Sequence, residues 1–211
     1  MNIIIEDHQY KTTVLFIHGY NKTGSQWNTT EYGKYIGIEE HIRKTRNTIL
    51  ISLKNYQRPI IEVSREIYES IKHFKKIICV CHSYGALYAT SMAITYPTLF
   101  TTLIMLDPTI KTDYYFNYLN TLPATEVNNY KIKHFDTLPN YLDIPKHIIL
   151  IIHLNLDQSP NEWDKMLKLD QIIKNHVKSR LIVHMNIGHM IHYKIPHVII
   201  DSILGSACGR Y

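Results

Sequence analysis

The chain has 211 residues, a length that suits one domain with a substantial core. Its net charge of +5 comes from Lys and Arg scattered in short pairs such as Arg43-Lys44 and Lys75-Lys76, which points to a mildly basic solvated surface rather than a nucleic-acid-binding patch. No apolar run reaches the roughly 18 residues of a spanning helix, and the opening MNIIIEDHQYK carries acids and too short an apolar stretch for a signal peptide. The three cysteines form no disulfide framework, because Cys79 and Cys81 share one predicted strand; free thiols and a cytoplasmic setting are expected.

Residues 2–6 predict a short edge strand. Residues 12–18 (TTVLFIH) predict a strand apolar throughout, as one buried on both faces must be, and it ends in His18-Gly19-Tyr20-Asn21. A first helix is expected over 28–44, weakened by Gly33 and Gly37, and a strand over 48–53. Pro59 opens a helix running to about Phe74, with Ile60, Ser64, Ile67, Ile71 and Phe74 on one face. The β-branched run Ile77, Ile78, Val80 stops at His82-Ser83-Tyr84-Gly85 and gives way at once to a small-residue helix that Pro97 ends. A buried strand over 101–106 closes at Asp107-Pro108.

Residues 109–145 break the alternation, with Pro123, Pro139 and Pro145 and no long periodic segment. Residues 147–154 resume it as a strand, followed by Asn155-Leu156-Asp157-Gln158. A helix is expected from about Asn161 to Lys178, with Trp163, Met166, Leu167, Ile173 and Val177 inward. The last strand, 180–186, leads into Ile187-Gly188-His189-Met190. A closing helix runs to about Leu204, with Pro196 able to split it and Gly205 as its stop. Strands alternating with helices imply right-handed crossovers and a parallel sheet covered on both faces. Ligands of such sheets sit beyond the carboxyl ends of the strands, where Ser83, Asp107, Asp157 and His189 all fall.

A serine at a one-residue corner between buried strand and helix has its hydroxyl pushed away from the backbone, and the next N–H, that of Tyr84, sits at a helix N-terminus able to donate to an oxyanion. Cys81-His82-Ser83-Tyr84-Gly85 resembles the G-x-S-x-G nucleophile elbow of the α/β-hydrolase family, with its second glycine kept and its first replaced by Cys, still a small residue. The resemblance extends over nearly the whole chain. It implies an α/β-hydrolase fold: a mostly parallel sheet of about six to seven strands, helices on both faces, and one domain spanning 1–211 with 109–145 as a short lid. Tyr114, Tyr115, Phe116 and Tyr118 either line its pocket or pack it onto the body. By the same resemblance Tyr20, after His18-Gly19, supplies a second oxyanion N–H, and Trp27 begins the following helix.

A serine hydroxyl needs a base, histidine suits that task near neutral pH, and a carboxylate fixes the imidazole tautomer. The family's chain order of serine, acid, histidine is met by Ser83, Asp157 and His189, each just after a predicted strand; Asp107 is the alternative acid. Among 13 histidines, His189 is marked by Gly188 before it and by its place after the last strand, whereas His82 is expected to pack or bond locally. His189 and His192 have no carboxylate or Cys cluster beside them to suggest a metal. The resemblance thus implies a cofactor-free serine hydrolase that acts on a small acyl substrate, an ester or thioester. An amidase or peptidase, and a non-catalytic ligand-binding protein of the same fold, are the alternatives.

Overall fold

The computed structural model describes residues 1–28, 37–53, 57–157, 160–176 and 178–207. In chain order these form β1 (Asn2–Glu6), β2 (Thr13–Ile17), a 3-10 turn (Gly24–Asn28), α1 (Ile38–Ile42), β3 (Asn47–Ser52), α2 (Ile60–Ile71), β4 (Ile77–His82), α3 (Gly85–Thr95) and β5 (Phe100–Leu106). The second half continues with α4 (Asp113–Thr121), α5 (Glu126–Lys133), two short 3-10 turns, β6 (Ile149–Leu156), α6 (Pro160–Lys174), β7 (Arg180–Met185), α7 (Ile191–Lys194) and α8 (Pro196–Ala207).

The seven described strands make one sheet in the order β1-β3-β2-β4-β5-β6-β7. Only β1, at the edge, runs antiparallel; the pairings from β3 through β7 are parallel. The central strands are apolar without interruption because alternate side chains enter two different cores. Leu15, Ile17, Cys79, Cys81, Leu103 and Met105 face α2, α3 and α6. Val14, Phe16, Ile78, Val80, Ile104 and Leu106 face α1 and α8. Residues 85–93 of α3 are buried on every side, which explains their small, polar-poor composition.

Several expected elements differ in detail. Of the helix expected over 28–44, only α1 is formed within the described residues, and 29–36 lie outside them. Pro59 caps α2 rather than opening its first turn, and the buried stripe is Val63, Ser64, Ile67 and Ile71. On α6 the inner face agrees with the expected one in part: Met166 and Ile173 pack against the core beside buried Leu169 and Ile172, while Trp163 and Leu167 are 47% and 62% exposed. Val177 lies outside the described residues, as does the tail from Cys208. Pro196 does split the closing helix, but Gly205 lies within α8 instead of ending it. Cys79 and Cys81 are buried free thiols.

Candidate active site

The end of β4 fixes the position of Ser83. This residue has φ of +51°, a left-handed conformation that costs a non-glycine residue about 1 to 3 kcal/mol and persists only where surrounding bonds enforce it. They are present: the Ser83 N–H donates to Leu106 O at 3.0 Å, and the Ser83 carbonyl accepts from the N–H groups of Thr109 and Ala86, each at 3.1 Å. Gly85 lets the elbow close on β2, because a Cβ there would lie 2.5 Å from His18 O and 2.7 Å from Ile17 O. Cys81, at the other small-residue position, is accommodated in the core beneath the sheet.

The end of β2 is held by His18. Its Nδ1–H donates to Gly19 O at 2.6 Å and its Nε2 accepts from the Leu53 N–H at 2.8 Å, so one buried ring joins the exit of β2 to the exit of β3. Burial lowers the pKa of His18 against the opposing bond to Gly19, which keeps this tautomer neutral. Tyr20 follows, and with Tyr84 it lines the cavity that holds Ser83. A Cβ on Gly19 would come within 2.7 Å of the His82 ring and 3.2 Å of the Ser83 Cβ, so the loop and the elbow are in direct apposition.

Asp107 ends β5 as Ser83 ends β4, again with positive φ, +42°. Its N–H donates to His153 O at 2.7 Å, turning the 5% exposed side chain toward the last strand's loop. There His189 Nδ1–H donates to Asp107 Oδ2 at 2.5 Å, and Lys165 Nζ donates to Oδ1, also at 2.5 Å. Burial alone would push the Asp107 carboxyl up; the His189 hydrogen bond and the Lys165 charge outweigh it, and the net shift is downward. The His189 backbone is pinned by His82, whose Nε2–H donates to its carbonyl at 3.0 Å. Burial, with His189 beside it, drives the His82 pKa down to about 3, so His82 acts as a neutral donor. Ser83, Asp107, His189, Tyr20 and Tyr84 all line one cavity of about 660 Å3.

No family model matches the sequence, and no curated protein matches it. Solved structures are similar to it along almost its full length. An esterase from Thermogutta terrifontis superposes with a TM-score of 0.69 at 12% identity, over 96% of this chain and 91% of that one. An esterase from a marine microorganism gives 0.66 at 13%, over 96% and 97%. MenH from S. aureus gives 0.66 at 12%, over 97% and 96%. The chain has the α/β-hydrolase fold.

Within that α/β-hydrolase frame, the structure brings the alternative carboxylate, not the first choice, to His189. Asp157, the first choice for the acid, is exposed just beyond β6, and the carboxylate bonded to His189 is that of Asp107, the alternative. The physical reason lies in the backbone. The left-handed turn at Asp107 aims its side chain along the strand ends toward His189, and its N–H is secured by β6. The carboxyl end of β6 does something else: buried Asn155 accepts from both the Ile187 and Gly188 N–H groups at 3.0 Å through its Oδ1, shaping the loop that carries His189.

Asn155, Lys165 and Lys131 are site residues that the sequence did not disclose. Lys131, on α5, is 8% exposed and holds its Nζ 3.4 Å from the centroid of the Tyr20 ring and 5.0 Å from that of Tyr84. Among the tyrosines of α4, Tyr115 and Tyr118 line the cavity, whereas Phe116 packs on Phe135; the Tyr114 side chain lies outside the described part. Trp27 sits in the 3-10 turn after β2, packed on Phe16 and His192. Among the described residues no group of three or more His, Cys, Asp or Glu side chains is placed to hold a metal ion.

Proposed function

We propose that this chain is a serine hydrolase that cleaves a carboxylic ester or thioester through an acyl-enzyme on Ser83. The observation that carries it is the His189 Nδ1–Asp107 Oδ2 bond of 2.5 Å in the cavity that Ser83 lines. With its Nδ1 proton committed to Asp107, the His189 imidazole keeps Nε2 bare as a base. The similarity to two solved esterases supports the same class.

His189 takes the Ser83 proton as Oγ attacks the substrate carbonyl. The resulting oxyanion is met by the backbone N–H groups of Tyr20 and Tyr84, a type of stabilisation worth about 100- to 1000-fold per donor. Collapse expels the alcohol or thiol, which receives the proton from His189. Water then attacks the acyl-enzyme, giving up a proton to His189, and the acid leaves as Ser83 recovers its hydrogen. Asp107 stays ionised throughout and stabilises the imidazolium. In this scheme residues 109–145, carrying α4 and α5, serve as a lid within a single domain spanning 1–211.

The test is labelling by a fluorophosphonate, read by intact mass. One adduct per chain is expected, absent in Ser83→Ala and formed far more slowly in His189→Ala. An unlabelled folded wild type would overturn the mechanism and favour a ligand-binding role for the cavity.

A further inference from the structure

The wall of the cavity opposite the His189–Asp107 pair in chemical character is the Lys131 side chain. A lysine buried this deeply is ordinarily paired, because desolvating an ammonium costs several kcal/mol. The described residues give Lys131 no carboxylate within ion-pair distance; it rests on the faces of Tyr20 and Tyr84. A cation–π contact returns only about 0.5 to 2 kcal/mol. Burial lowers its pKa to about 8, so the ammonium remains the major form at neutral pH.

The other charges of the cavity do not answer it. Lys22 and Lys165 are cations. Asp107 is already bonded to Lys165 and His189. Glu162 stands near Lys165, Asp107 and Asp157, and no influence of it is felt at Lys131. The cavity therefore presents an unanswered positive charge next to the two residues whose backbone would hold the substrate carbonyl.

We propose that Lys131 is a specificity residue that binds a carboxylate on the acyl part of the substrate, so that the preferred substrate is a hemi-ester of a dicarboxylic acid. The acyl side is assigned from the neighbours: Lys131 rests on the rings of Tyr20 and Tyr84, the residues whose backbone N–H groups would hold the carbonyl, whereas His189, which would protonate the leaving group, borders His82 and Asp107. A substrate carboxylate in the cavity would form with this ammonium the hydrogen-bonded ion pair that its protein neighbours do not supply. This assignment rests on the ester-hydrolase reading above.

The test compares 4-nitrophenyl butyrate with the mono-4-nitrophenyl ester of glutaric acid. Wild type should favour the hemi-ester in kcat/KM by about 10- to 100-fold at pH 7, the range of a charge-assisted hydrogen bond. That preference should shrink as pH rises through about 8, where Lys131 loses its charge. Lys131→Met should collapse the ratio through the hemi-ester's KM, and Lys131→Arg should restore most of it, with both variants verified as folded by thermal melting. Turnover of the neutral ester with no preference for the anionic one, or a preference that survives in Lys131→Met, would overturn this assignment alone. Turnover of neither ester would overturn it together with the hydrolase reading.

Discussion

Replacing Asp107 with asparagine tests the acid and its lysine partner together. The two carboxylate oxygens have different donors: Oδ1 accepts from Lys165 and Oδ2 from His189, both at 2.5 Å. An asparagine amide has one acceptor and one NH2 group. Lys165 can only donate, so in Asp107→Asn the amide oxygen must face Lys165 and the NH2 must face His189. That arrangement requires Nδ1 of His189 to accept, which moves its proton to Nε2 and removes the base. A wrong tautomer of this kind costs about 10,000-fold in kcat, or about 5.5 kcal/mol. Asp157→Asn, at an exposed position, should stay within about threefold of wild type. The distinguishing variant is the pair Asp107→Asn with Lys165→Met. Without the ammonium, the amide can rotate, turn its oxygen to His189 and restore the tautomer, recovering on the order of 100-fold. Initial rates on an activated ester would measure all four proteins, with urea denaturation to verify folding. A larger loss in Asp157→Asn than in Asp107→Asn, or a double variant no faster than Asp107→Asn alone, would refute the reasoning.

Two further outcomes concern stability. Gly85→Ala should destabilise the fold by about 1 to 3 kcal/mol in urea despite alanine's better helix propensity, because its Cβ would meet the His18 and Ile17 carbonyl oxygens at 2.5 and 2.7 Å; a change below about 0.5 kcal/mol would mean the elbow can shift freely. The second concerns acid. Ser202 Oγ–H donates to Val198 O, so it accepts from His153 Nε2–H, and His153 Nδ1 accepts in turn from His184 Nε2–H at 3.0 Å. Protonating His153 would set N–H against N–H, and burial, with His184 beside it, lowers its pKa to about 3. Between about pH 6.5 and 3 the unfolded chain then binds more protons than the folded one, so stability falls as pH falls, by up to about 1.4 kcal/mol per pH unit for this residue. His153→Gln should flatten that slope in a series of thermal melts; an unchanged slope would contradict the neutral chain.

The strands were legible because two-sided burial leaves a continuous apolar run, as at Val14 to Ile17 and Ile77 to Cys81. Ser83 and His189 drew attention as candidates because each stands at a strand's carboxyl end, Ser83 two residues before Gly85 and His189 directly after Gly188. The face of α6 was legible only in part: Met166 and Ile173 do pack on the core, but packing against the sheet centres the buried stripe on Leu169 and Ile172 and leaves Trp163 and Leu167 outside it. The choice between Asp107 and Asp157 was not legible, since both stand at strand ends in chain order. What separates them is a dihedral angle and a hydrogen bond across the sheet, neither of which leaves a mark on residue type. Lys131 and Lys165 come from helices far along the chain, and their meeting with Tyr20 and Asp107 is a tertiary fact.

The bond between Asp107, at the end of β5, and His189 has consequences for the strands on either side. Ser83 and Asp107 close neighbouring parallel strands, and the Ser83 N–H to Leu106 and Thr109 N–H to Ser83 bonds join the two left-handed turns into one unit. Distortion at either turn is therefore transmitted to the other, so Ser83 and Asp107 keep a fixed separation through backbone bonds. The end of β6 supplies Asn155 to the loop that carries His189, and α6, which follows β6, supplies Lys165 to Asp107. That lysine tempers the carboxylate's charge at the point where it faces His189.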